Sequence, residues 1–124
     1  MKIKPIIFFL PVLLASCFGP KQDCRSFHTG TFRFETEIGG IKKSTVFTRT
    51  DSLEIETYEG KTDTATVRWV NDCEYVLRKR HPRNMAEQKA VSIRILTTDN
   101  NSYTFDYGLV GSDVRQQGTV TKIN

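Results

Sequence analysis

The run from residue 30 to residue 38, GTFRFETEI, sets Phe32, Phe34 and Ile38 on one side of an extended chain and Arg33, Glu35 and Glu37 on the other. A period of two sends successive side chains to opposite faces, so this run reads as an antiparallel strand with one face in a core. The same period recurs downstream. Gly39-Gly40 marks a turn, residues 43 to 50 carry Val46 and Phe47 into a second strand, and Asp51-Ser52 supplies the next turn. Leu53 to Tyr58 alternates again before Glu59-Gly60-Lys61. Residues 65 to 70 place Val67 and Trp69 together, Asn71-Asp72 turns the chain, and residues 73 to 77 align Cys73, Tyr75 and Leu77. Residues 91 to 98, 103 to 110 and 114 to 123 add three more strands, separated by Asp99-Asn100-Asn101 and Gly111-Ser112-Asp113. Short consecutive connections between eight strands predict an all-β, antiparallel meander that closes into a small barrel, because closure removes exposed edges. Residues 83 to 90, RNMAEQKA, are the one segment of helix-forming composition, with room for a short helix or a longer loop.

Upstream of the strands the pattern changes. Lys2 and Lys4 precede an apolar run, PIIFFLPVLL, of residues 5 to 14. That is the layout of an export signal, and it falls well short of the roughly 20 residues a spanning helix needs. Pro11 within it also opposes a permanent helix. Leu14-Ala15-Ser16-Cys17 resembles the lipobox of bacterial lipoproteins. The resemblance implies diacylglycerol on the Cys17 sulfur, cleavage after Ser16 and acylation of the new amino group, and two or three acyl chains hold a domain stably on a membrane. The expected organisation is a signal peptide over residues 1 to 16, a lipidated tether over 17 to 27, and one β-barrel domain over 28 to 124.

Without the signal, 108 residues remain, enough for one core and too few for two. They carry 16 basic and 14 acidic side chains. So near a balance gives no reason to expect a nucleic-acid partner. Assigning Cys17 to lipid leaves Cys24 and Cys73 as an even pair in an oxidising compartment, where a disulfide between them is expected. Closing a loop of about 50 residues would stabilise by roughly 3 to 4 kcal/mol. Two unpaired buried thiols are the alternative.

Several longer stretches carry a family resemblance. Thr29-Gly30-Thr31-Phe32, Arg49-Thr50-Asp51-Ser52 with Leu53-Glu54-Ile55, and the run VRWVNDCEYVL of residues 67 to 77 resemble small lipoproteins of Bacteroidetes bacteria, a resemblance that brings no activity with it. An eight-stranded meander entered by a Gly-x-Phe strand is also similar to lipocalin-like barrels. That similarity implies a small apolar ligand, at the level of fold alone.

Catalytic and metal motifs are missing from the sequence. His28 and His81 are far apart, and there is no His-x-His, His-Glu-x-x-His, Cys-x-x-Cys, Gly-x-Ser-x-Gly or P-loop pattern. No enzyme activity, cofactor or metal is expected. Arg78, Lys79, Arg80 and Arg83 form a basic cluster that either contacts acidic lipid or an acidic partner or is simply solvated. Phe32, Phe34, Trp69, Tyr75, Phe105 and Tyr107 either fill the core or line a ligand cavity. Asp72 and Glu74 read as turn and solvent residues, and Glu35, Glu37, Glu54 and Glu56 as outer-face stripes. The expected protein is a lipid-anchored binding or interaction module that presents its loops or a small cavity at the cell envelope, with a small apolar ligand or an envelope protein as the partner. The alternative is a structural envelope lipoprotein acting through protein contacts. A monomer is expected. Phe18 after the anchor favours the outer membrane by resemblance, with the periplasmic or surface side left open.

Overall fold

The computed structural model describes residues 22 to 124. The signal segment, the lipobox and Cys17 lie outside the described residues. Eight strands, β1 (Gly30–Ile38), β2 (Ile41–Arg49), β3 (Leu53–Tyr58), β4 (Lys61–Asn71), β5 (Glu74–Lys79), β6 (Val91–Thr98), β7 (Ser102–Leu109) and β8 (Gln116–Lys122), pair in chain order. Every pairing is antiparallel, and β8 returns to β1 through Phe32↔Lys122, Arg33↔Thr121 and Phe34↔Val120, so the sheet closes into a barrel. The eight-stranded closed meander expected from the alternation is the observed fold. Residues 83 to 90 contain no helix; they belong to the long β5–β6 loop.

Turn chemistry explains the tight corners. Glu59 (φ 49°) and Gly60 (φ 77°) form the two-residue link between β3 and β4, a left-handed pair that matches the twist of the flanking strands. In β8, Gly118 serves a different end. A Cβ there would lie 2.8 Å from both Phe105 Cζ and Phe34 Cε2, so the missing side chain lets these two rings meet edge-on at 5.7 Å.

In a meander, successive connections sit at opposite ends. The β2–β3, β4–β5 and β6–β7 turns share one end with the N-terminal segment. There Cys24 is joined to Cys73 by a disulfide, and the Asp23 amide donates to Thr98 Oγ1 at 2.8 Å. A 3-10 turn, Arg25–Phe27, crosses the opening, with Phe27 2 % exposed and edge-on to Tyr103 at 5.2 Å. The stretch expected to be tether is therefore part of the packed domain from Cys24 onward: it plugs the barrel.

The second difference concerns β3. Leu53 and Ile55 look like its inward residues, yet the structure turns Glu54 and Glu56 inward and leaves Ile55 38 % exposed. The cause is the hairpin. The Thr50 amide donates to the Leu53 carbonyl at 2.8 Å, leaving a two-residue loop, Asp51-Ser52. That loop fixes Arg49↔Glu54 and Phe47↔Glu56 as cross-strand partners. Partners share a face, and Phe47 belongs to the core cluster, so Glu56 and Glu54 face inward with it.

Candidate functional site

The barrel interior has two parts. Toward the plugged end the side chains are close-packed: Phe32, fully buried, stacks on Phe47 at 5.1 Å, and Trp69 lies between His28 at 3.6 Å and Tyr75 at 4.5 Å. Toward the other end there is a cavity of about 540 Å³. Phe34, Tyr75, Phe105 and Tyr107 are among its lining residues, together with Leu77, Val91 and Ile93. Phe32 and Trp69, grouped with them by sequence, sit in the packed floor and do not line the cavity.

Arg49 organises that floor. It is 1 % exposed, and each of its five N–H groups has an acceptor within reach. Nε donates to the His28 carbonyl at 3.0 Å, Nη1 to Glu54 Oε1 at 3.1 Å and to Tyr75 Oη at 2.7 Å, and Nη2 to the Phe27 carbonyl at 2.5 Å and to Tyr103 Oη at 3.3 Å. The guanidinium thus ties plug, β3, β5 and β7 together. The rings of Tyr75 and Phe32 lie 4.6 and 4.7 Å from its central carbon, which adds cation–π attraction. Burial works against its charge, but Tyr75, Tyr103 and Glu54 more than offset this and hold its pKa above the ordinary guanidinium value.

Glu54 joins the floor to the cavity. It is 8 % exposed and lines the void. Burial pushes its carboxyl up to about 7, against the opposing pull of Arg49. Only Oε1 is engaged; Oε2 has no hydrogen-bond partner among the described residues. Nor is Oε2 a sealed orphan, because the Trp69 indole nitrogen is the one fully buried side-chain polar atom there without a partner. Oε2 is therefore accessible, and the space it reaches is the cavity. Farther along the same wall, Glu56 also lines the void. Burial raises its carboxyl, Lys79 opposes that rise, and Asp63 adds to it.

Asn84, Ala86, Glu87 and Lys89 of the β5–β6 loop line the cavity at its mouth. Two ion pairs hold this loop to the wall, Glu87 to Lys79 at 3.6 Å and Arg83 to Asp63 at 3.7 Å, and Lys79 also meets Asp63 across the strands at 3.7 Å. The basic cluster read from the sequence is thus divided. Lys79 points inward and Arg83 reaches a carboxylate, while Arg78 and Arg80 are exposed on the surface. Among the described residues, no group of three His, Cys, Asp or Glu is placed to hold a metal ion.

Sequence reasoning did not single out Arg49, Glu54, Glu56 or Asp63 as site residues. The signal that identifies them is hairpin register rather than hydrophobicity. Phe47 inward and a two-residue turn at Asp51-Ser52 force Glu56 inward, and the Glu59-Gly60 turn then brings Asp63 opposite Glu56. Comparison of the chain with protein-family models, curated proteins and solved structures finds no match.

Proposed function

We propose that this protein is a binding protein that holds a small, largely apolar molecule inside the barrel, and that it works at a bacterial cell envelope, anchored by lipid on Cys17. The cavity carries the reading. An eight-stranded barrel has an interior that its own side chains can fill, and here they fill only one end. A void of about 540 Å³ lined mainly by aromatic and aliphatic residues has the size and character of a small-molecule site. Pairing of Cys24 with Cys73 supports the anchor, because it suits an oxidising compartment and leaves Cys17 as the single remaining cysteine. The tether joins the plugged end, so the mouth lies at the opposite end of the barrel from the anchor. On this reading the ligand enters from the aqueous side.

The uncharged fluorophore N-phenyl-1-naphthylamine tests the cavity. Its emission is expected to rise on mixing with the protein, and Ala65→Phe, which fills the void from the wall of β4, should weaken binding at least about tenfold with the melting transition retained. No enhancement with the unaltered chain would count against a ligand site. The second reading, an envelope protein acting through protein contacts, draws on Met85, Val110 and Val114, which are 80 %, 58 % and 72 % exposed in the two longer loops at the mouth end.

A further inference from the structure

Resting on the cavity reading above, we propose that the ligand is an apolar amine, bound with its cationic head against Glu54 and Glu56, and not a fatty acid or other apolar carboxylate. Two observations lead there from different directions. The first is what the floor offers. Glu54 is nine-tenths buried, and its Oε2 is unpartnered and accessible to the void; a cation beside it would favour the ionised form that burial opposes, and that form accepts hydrogen bonds and donates none. Glu56, the next residue of the same face, is exposed toward the open side of the void that it lines; Lys79 acts on it at a distance, but it makes no hydrogen bond or ion pair with the described residues. A head group bearing N–H donors and a positive charge satisfies both, and such charge-assisted contacts are the strong ones in a site of low polarity.

The second observation is what the floor withholds. A carboxylate ligand would need a cation or free donors at the deep end. Arg49 is the cation there, and all five of its N–H groups already have acceptors within the protein. It does not line the cavity. The other cations on the wall are Lys79 and Lys89. Lys79 is shared between Asp63 and Glu87, and Lys89 belongs to the loop at the mouth, away from the deep end. An acid entering head-first would meet Glu56 and then Glu54, with only the neutral hydroxyls of Thr45, Thr64, Tyr75 and Tyr103 to receive it and no free cation at the deep end. Like charges brought together in a partly desolvated space repel strongly.

Three molecules with one eight-carbon chain and different heads separate the possibilities: octylamine, 1-octanol and octanoate, each titrated calorimetrically into the full chain and scored by displacement of N-phenyl-1-naphthylamine. Octylamine should bind at least about tenfold more tightly than octanoate. Glu56→Gln, at a site that is not sealed in the core, should reduce that preference without changing the affinity for 1-octanol. Glu54→Gln should do the same where it folds. Equal or tighter binding of octanoate, failure of octylamine to displace the fluorophore, or a preference untouched by Glu56→Gln would each overturn the assignment while leaving the cavity reading in place. Failure of the fluorophore and of all three chains to bind would remove the cavity reading itself.

Discussion

Arg49 shows how one side chain can hold a closed end together. Replacing it with Met keeps the length and removes all five donors, which leaves Glu54 as a buried carboxylate without its ion and strands the Phe27 and His28 carbonyls. Arg49→Met should lower the unfolding free energy by about 3 to 5 kcal/mol in chemical denaturation. Lys at this position could not restore the planar fork and should recover only part of the loss. Glu54 contributes a pH signature of opposite sign to the usual carboxylate. Its folded pKa, about 7, lies above the ordinary 4.5, so between those values the folded state binds the proton more readily than the unfolded chain does. Stability attributable to Glu54 is complete below pH 4.5 and lost as pH rises toward 7. Measured against Glu54→Gln, the unaltered protein should therefore lose relative stability across that window, and a flat difference would show that the carboxyl is not raised.

At the scale of the element, β3 separates two kinds of sequence signal. Alternation in LEIETY assigns Leu53 and Ile55 to the core because they are the apolar residues, while hairpin register assigns Glu54 and Glu56 to it because they pair with Arg49 and Phe47. Register wins, since a slip of one residue would turn every inward side chain of the strand outward and separate Arg49 from Glu54. Ile55→Thr is accordingly expected to change stability by no more than about 0.5 kcal/mol by thermal melting, the scale of a surface substitution and not of a lost core side chain. The same contrast explains what was legible in the sequence. The eight strands were legible because period two and turn residues are local signals. The floor was not, because hydrophobic pattern treats charged residues as surface, and only pairing across the Asp51-Ser52 turn brings Arg49 and Glu54 inside together. The plug was missed even though its bond to Cys73 was expected: Lys21, Gln22 and Asp23 look like linker, and the burial of Phe27 rests on long-range contacts with Tyr103 and Arg49 that no local pattern marks.

Over the described residues the molecule is a cup: packed and cross-linked below, hollow above, with a loop held at its rim by ion pairs. Its parts depend on one another, since the plug carries half of the disulfide and supplies two of the carbonyls that receive Arg49. Changing Cys24 and Cys73 together to Ser should lower the unfolding free energy by about 3 to 4 kcal/mol, read from denaturant midpoints with and without the bond. The disulfide also has a mechanical consequence. Tension on the N-terminal chain divides at Cys24, where a covalent path leads directly into the turn between β4 and β5 on the floor. A pull from the N-terminal side is therefore borne in part by the middle of the barrel wall, and neither the plug nor β1 can be peeled away as the first event.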